Sequence, residues 1–267
     1  MKKTKQEDVN LGHKYAKILK IGINSTTKDQ VLRFVSARLE DKTKFYIVTP
    51  NPEIVLKASN SSYLSRIITD SDISVPDGVG LKYAAKFIDG TTLNIIPGRK
   101  LFWDILEIAN TKSLRITLYG GWEGDTQKTK EEIEKKLKKL DIQAITPPIY
   151  DNNCTPINPE ERKKHKSCMA RLKIFQPDII FIGLTTPKQE MWIRKNFFNL
   201  QATGVMTVGG TFSYIAGSSK TPPGWMESLG IEWLWRVITD PKRIKRVLNA
   251  VIVFPWKVFL WKLGVGK

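Results

Sequence analysis

Three times this chain runs a short β-branched or aromatic stretch straight into a polar turn, and a helical pattern follows each turn. Phe45-Tyr46-Ile47-Val48 opens onto Thr49-Pro50-Asn51-Pro52-Glu53, and Ile73-Ser74-Val75 onto Pro76-Asp77-Gly78. Ile179-Ile180-Phe181-Ile182-Gly183-Leu184 opens onto Thr185-Thr186-Pro187-Lys188-Gln189-Glu190. Continuous apolar runs of this length are strands buried on both faces, as in parallel sheets covered by helices. Open sheets of that kind bind ligands in the crevice at the carboxyl ends of their strands. Thr49, Asn51, Asp77 and the Lys188-Gln189-Glu190 triplet therefore fall on the edge where such sheets do chemistry.

The alternation continues along the chain. Ile18–Ile23 reads as a strand, and Thr27 is placed to cap a helix reaching about Leu39. Pro52–Ser59 is a helix with proline in its first turn, and Val79–Phe87 is another. Pro97-Gly98 precedes a helix through Asn110. The strand Arg115–Leu118 ends in Tyr119-Gly120-Gly121 and is followed by a charged helix to Leu140. Ile142–Ile145, Ile179–Leu184 and Val205–Val208 are strands, and Pro159–Phe175 is a helix. Six or so such units predict an α/β fold with a doubly wound, mostly parallel, Rossmann-like sheet. Beyond Thr221-Pro222-Pro223-Gly224 the strand signals stop. The expected division is a catalytic domain over 1–221 and a helical, basic, Trp-rich appendage over 222–267.

At 267 residues, one α/β domain with a modest extension fits the length. Cys154 and Cys168 stand fourteen apart in polar sequence, which suits neither a disulfide framework nor a Cys-x-x-Cys metal site. His13 and His165 cannot supply a His-rich metal cluster. The N-terminal residues lack an apolar stretch, so no signal peptide and a reducing, cytosolic compartment are expected.

The net charge of +17 calls for a polyanionic partner, either nucleic acid or an anionic membrane. In the middle of the chain the charge is diluted. Glu131, Glu132 and Glu134 each stand four residues before Lys135, Lys136 and Lys138, a solvated helix face with favourable pairs. From Trp225 onward, however, there are eight Lys/Arg against three acids, and five of the chain's eight tryptophans. The tail interleaves basic residues with Val251-Ile252-Val253-Phe254, Trp256 and Phe259-Leu260-Trp261. Lys257, Lys262 and Pro255 make it unsuited to span a bilayer. It is expected to lie in the interface of an anionic membrane, with packing on its own domain or on a second protomer, as in a homo-oligomer, as the alternative. Aromatics grouped beside an aliphatic run suit lipid better than nucleic acid, so no nucleic-acid partner is expected.

Singly, each motif also fits something plainer. Gly120-Gly121-Trp122-Glu123-Gly124 fails the Gly-x-Gly-x-x-Gly spacing, so NAD is not expected; it is either a phosphate-holding helix start or a tight turn. Asp77 is a candidate general base at a strand end, or a turn Asp before Gly. Asn51 fits an N-cap with Pro52 at the first helical position. Lys188-Gln189-Glu190 fits the polar first turn of a helix.

Together and in this order, the motifs resemble the WecG/TagA/CpsF family of bacterial glycosyltransferases, over about residues 18 to 248. The resemblance adds Pro76-Asp77-Gly78-Val79-Gly80, Val208-Gly209-Gly210-Thr211-Phe212, Ala216-Gly217 and Gly230-Ile231-Glu232-Trp233-Leu234-Trp235-Arg236 with Asp240-Pro241-Lys242-Arg243. It implies inverting, metal-independent transfer of an N-acetylmannosamine-type sugar from UDP to a polyprenyl-diphosphate-linked acceptor, as in cell-surface polysaccharide or teichoic-acid-type synthesis. No cofactor is implied beyond the UDP-sugar donor. The protein would work in the cytoplasm, peripherally on the inner face of the membrane. Asp77 would be the base, with Thr49 and Asn51 orienting the substrates. Gln189, with Lys188 and Glu190 and the Gly120-Gly121 and Gly209-Gly210 turns, would hold the nucleotide-sugar, and Arg236 and Arg243 would close over the diphosphate.

Four positions depart from the family pattern. Ile95 replaces an arginine, Gly98-Arg99-Lys100 replaces Gly-x-Asp, Phe212-Ser213 replaces Phe-Asp, and Thr221-Pro222-Pro223 replaces Arg-Ala-Pro. They bear on donor identity, with Arg99 offsetting the charge lost at Ile95. Two other classes stand beside this one: a catalytically altered member serving as a membrane-bound scaffold, and a basic nucleic-acid-binding α/β protein.

Overall fold

A computed structural model describes residues 15–228, 232–241 and 244–265. It opens with a hairpin, β1 (Tyr15–Ile18) and β2 (Ile21–Asn24), paired antiparallel. The sequence pattern predicts a single strand over Ile18–Ile23. The chain instead reverses at Leu19 and Lys20, both at positive φ (49° and 75°). Such two-residue turns are usually announced by Asn-Gly or Asp-Gly, and here nothing in the sequence does so.

The apolar runs form one sheet of β3 (Phe45–Val48), β4 (Ile73–Ser74), β5 (Arg115–Gly120), β6 (Asp141–Ile145), β7 (Ile179–Gly183) and β8 (Gly204–Thr207). Its strands are all parallel, in the order β4-β3-β8-β7-β5-β6. Every residue of β3, β7 and β8 is buried, which explains why these strands read as unbroken apolar runs. The chain moves outward from β3 to β4 at one edge and from β5 to β6 at the other. The late strands β7 and β8 fill the middle, so the carboxyl ends of β4, β3 and β8 stand side by side.

Helices cover both faces, as a doubly wound fold requires. One face carries α1 (Lys28–Glu40), α5 (Gly98–Thr111) and α6 (Asp125–Lys136), whose Phe34, Phe102, Ile105 and Ile133 share a core with Phe181 and Met206. The other carries α2 (Pro52–Ser59), α3 (Ser62–Thr69), α4 (Val79–Asp89), α7 (Pro159–Phe175) and α8 (Lys188–Asn196), packed around Ile180, Ile182 and Trp192. The caps follow local sequence. Thr27 and Gln30 form a capping box, and Asn51 and Asn158 each cap a helix with proline in its first turn. Helix α3, capped by Ser61, is an addition to the elements legible in the sequence.

After the short α9 (Thr211–Ile215), every further element of the described chain is helical: α10 (Gly224–Ser228), α11 (Glu232–Thr239), α12 (Ile244–Leu248) and α13 (Phe254–Lys262). A π-helical turn over Asn249–Val253 joins the last two. Pro255 is the second residue of α13, which directly follows this π-helical turn. Phe254 and Val258 are buried in the same core as α2 and α4, so part of the tail packs on its own domain. Among the described residues no helix is long and apolar enough to cross a membrane.

Candidate active site

Three loops converge at the carboxyl edge of β4, β3 and β8. Thr49, directly after β3, is buried and tied to the last residue of β8. Its N–H donates to Thr207 Oγ1 at 3.1 Å and its hydroxyl donates to the Thr207 carbonyl at 3.2 Å. The Asp77 N–H donates to the Pro50 carbonyl at 2.9 Å, and the Ile96 N–H to the Pro76 carbonyl at 3.0 Å. These bonds lock the two strand-end loops together and bring in the start of α5. A Cβ built on Gly98 would stand 3.3 Å from Thr49 Cγ2 and 3.5 Å from Asp77 Oδ2. The absence of a side chain at Gly98 lets the first turn of this 14-residue helix approach both groups without the small shift at Thr49 that a Cβ would demand. The half-buried Asp77 carboxylate therefore lies beside the positive end of a helix dipole and next to a pinned hydroxyl. Asn51 caps α2, its Oδ1 accepting from the Ile54 N–H at 3.0 Å.

Gln189 and Glu190 face inward. Gln189 is 2 % exposed; its Oε1 accepts from the Gly209 N–H at 3.1 Å and its Nε2 donates to Glu190 Oε1 at 2.9 Å. The Thr186 hydroxyl donates to the same Glu190 oxygen at 3.2 Å, and Glu190 Oε2 has no hydrogen-bond partner among the described residues. Burial pushes the Glu190 carboxyl above its ordinary range. The Lys188 ammonium donates to the Tyr150 carbonyl. This trio thus braces the Gly209-Gly210 turn and the loop after β7 from within the protein.

The Gly120-Gly121 turn holds strand ends together. Gly121 N–H donates to the Gly183 carbonyl at 2.9 Å, and Gly120 (φ 142°) lies against the Gly183 backbone, where a Cβ would collide. Asp125, at the head of α6, is buried and accepts from the hydroxyls of Ser213 (2.6 Å) and Ser218. Ser213, one of the four departures, is therefore paired with a carboxylate that the motifs did not single out.

Arg99, one residue beyond Gly98, has its guanidinium 5.4 Å from the ring centre of Tyr214 on α9. Both line a cleft of about 430 Å³ between α5, α6 and α9, with Trp103, Lys136, Thr221 and Pro222. Lys136 stands 4.9 Å over the Trp103 ring. Of the appendage arginines, Arg236 lies on α11 with its side chain outside the described residues, as Arg243 is altogether. Arg246, which the motifs did not mark, takes a clear position. Its guanidinium grips Glu53 in bonds of 2.9 to 3.1 Å, and Lys57 meets the same carboxylate at 2.8 Å. Burial alone would raise the Glu53 pKa, but the bonds and charges of Arg246 and Lys57 outweigh it and hold the carboxyl below its usual value. A 193-residue separation in sequence hides this pair from any local pattern. Among the described residues no three His, Cys, Asp or Glu converge as a metal site.

The family model for glycosyl transferases of the WecG/TagA/CpsF family matches residues 16–267. The chain belongs to that family. The chain is 30 % identical, over 94 % of each chain, to an N-acetylglucosaminyldiphosphoundecaprenol N-acetyl-beta-D-mannosaminyltransferase of Staphylococcus aureus strain NCTC 8325 / PS 47. A relative of the same name from strain MRSA252 is 27 % identical over the same share.

Proposed function

We propose that this glycosyltransferase moves an N-acetylmannosamine-type sugar from a UDP-sugar to a polyprenyl-diphosphate-linked acceptor, inverting the anomeric carbon without a metal ion. The names of the two relatives, which specify a mannosaminyl transfer onto a lipid-diphosphate sugar, support the sugar and acceptor classes. The observation that carries the mechanism is the meeting of Asp77, Thr49 and the first turn of α5 at one strand edge. Asp77 takes the proton of the acceptor hydroxyl as its oxygen bonds to the anomeric carbon. The bond from that carbon to the diphosphate oxygen breaks on the opposite face, and UDP leaves with the bonding electrons. A single displacement of this kind inverts.

Developing charge on UDP requires preorganised cations and helix N-termini. Arg99 in the cleft beside Gly98, with Arg236 and Arg243 from the appendage, fills that role. Thr49 and Asn51 orient the substrates at the strand edge. Gln189 acts from behind, holding the Gly209-Gly210 turn against which the nucleotide lies, with Glu190 and Lys188 fixing the loop after β7. The enzyme works peripherally on the cytoplasmic face of the membrane, where a lipid-linked acceptor is presented.

Asp77→Asn is the deciding variant. It should keep the fold and UDP affinity while lowering turnover by about two to four orders of magnitude, the usual worth of a positioned base. Turnover of the wild-type enzyme should persist in excess chelator. Near-normal turnover in the variant would overturn the assignment of the base, and chelator inhibition reversed by added divalent cation would overturn metal independence.

A further inference from the structure

Three glycine-bearing strand ends lie side by side at the carboxyl edge of β5, β7 and β8. The Gly121 N–H donates to the Gly183 carbonyl, and a Cβ built on Gly183 would stand 3.2 Å from the Gly209 carbonyl oxygen. These strand ends form the floor against which the donor nucleotide of the proposed reaction lies. Two elements border it: the head of α6, and the segment from Gly209 through α9 to Ser219. A single buried carboxylate joins them.

That carboxylate is Asp125, 4 % exposed in the first turn of α6, where the helix dipole favours negative charge. The chain reverses after α9, with Gly217 at φ 79° and the Ser219 N–H donating to the Ser213 carbonyl at 2.9 Å. The reversal brings two hydroxyls onto the carboxylate. Ser213 donates to Oδ2 at 2.6 Å, and Ser218 donates to Oδ1. Between the two serines, Tyr214 sets its ring 4.0 Å from a Cβ built on Gly210 and lies under the Arg99 guanidinium. The place of the Gly209-Gly210 turn and that of the aromatic partner of Arg99 both follow from where Asp125 holds α9.

Packing alone does not call for a carboxylate here. Phe212 is fully buried with its ring 6.1 Å from that of Phe102, and the Thr129 hydroxyl donates to the Phe212 carbonyl at 3.0 Å. Among the described residues no cation joins Asp125, so only two neutral hydroxyls and the helix end offset its desolvation. An apolar side chain would hold α9 against α6 at less cost. Two charge-assisted bonds do something else: they fix distance and direction.

We propose that Asp125 is a positioning residue for the donor nucleotide, acting through Ser213 and Ser218 to hold the Gly209-Gly210 turn and Tyr214 in the geometry that binds a UDP-sugar. This deepens the reading of the site given above and rests on it. Asp125 does not meet the reacting atoms, so its loss should appear in donor affinity and leave the chemical step nearly alone.

The test uses the full chain and two readouts. One is calorimetric titration with UDP. The other is the initial rate with UDP-N-acetylmannosamine and a lipid-diphosphate N-acetylglucosamine acceptor. Asp125→Ser leaves the two serines without their acceptor, and Ser213→Asp sets two carboxylates against each other. Each should weaken UDP binding and raise the donor KM by about tenfold, the worth of a hydrogen bond to a charged group. The kcat should stay within about threefold of wild type. Ser218→Ala removes one exposed hydroxyl and should raise the donor KM by about threefold. The exchange Asp125→Ser/Ser213→Asp again places one carboxylate opposite one hydroxyl. It should recover UDP affinity to within about threefold of wild type, the non-additivity of a directly coupled pair. Variants that melt earlier yet bind UDP like wild type would overturn the proposal and leave Asp125 a structural tie. So would an exchange variant that binds no better than the single ones, or a wild-type chain that does not bind UDP. If UDP binding follows the expected pattern but the wild-type enzyme transfers no sugar, the proposed reaction is refuted and the positioning role stands.

Discussion

Glu190 and Glu53 are both buried carboxyls, and their surroundings push them in opposite directions. Among the described residues Glu190 has two neutral donors on one oxygen and none on the other, so burial wins and its proton is held more tightly when folded. The stability it contributes is complete below the ordinary carboxylate pKa of about 4.3 and is lost as pH rises through its raised value. Glu190→Gln keeps the accepting oxygen and cannot ionise. In thermal melts across pH, wild type should lose stability relative to this variant as pH climbs through that window. Parallel curves would show that Glu190 is charged in the native protein. Glu53 behaves in the reverse sense: the stability from its ion pairs is present above about pH 4.3 and is lost as pH falls through its depressed value. At this scale, sequence pattern placed Gln189 and Glu190 in a strand-end loop but did not show what their side chains bond to. Gln189, picked out as a substrate contact, spends its amide on Gly209 and Glu190, because side-chain direction depends on a loop fold that motif spacing does not encode.

The C-terminal helix is where local pattern and tertiary contact divide most clearly. That α13 is helical, basic and unable to span a bilayer was legible, and so was its aromatic content. Its seat was not, since nothing in Phe254 or Val258 distinguishes an inward residue from the exposed Trp256 beside them. The buried pair contributes about 1.5 to 3 kcal/mol per side chain, and Arg246 adds the grip on Glu53. Arg246→Ala leaves Glu53 with Lys57 alone. Because the arginine is half exposed, the cost should be about 1 to 2 kcal/mol, below that of breaking a fully buried pair. The variant should melt earlier, and limited proteolysis should cut the 244–262 segment faster than in wild type. Unchanged proteolysis would mean that Phe254 and Val258 suffice to hold the helix. By contrast, the bounds of α2 and α7 agree with their sequence reading residue for residue, since proline and a capping Asn mark each start. The β1–β2 hairpin was misread because Leu19-Lys20 carries no turn signature.

For the molecule as a whole, the parallel sheet was evident from its unbroken apolar runs, whereas its strand order was not. Pairing β3 with β8 brings Phe45 against Gly204, a contact set by the whole topology and by no local motif. The same sheet gathers the groups proposed for catalysis at one end of a chain of net charge +17. Affinity for anionic vesicles should therefore fall steeply as ionic strength rises. Screening shortens from about 10 Å at 0.1 M salt to about 3 Å at 1 M, leaving a residue of apolar binding. Salt-insensitive sedimentation would show that the basic residues play no part. One further consequence concerns the order in which the chain is made. From Arg246, polar bonds run through Glu53 and Lys57 to Thr186, on to Glu190 and Gln189, and end at the Gly209 turn. Domains begin to fold from the N-terminus during synthesis, yet this network lacks its outermost link until position 246 has been translated. A stop codon or frameshift just before position 246 would spare every strand of the sheet and still leave unclasped a motif translated almost two hundred residues earlier.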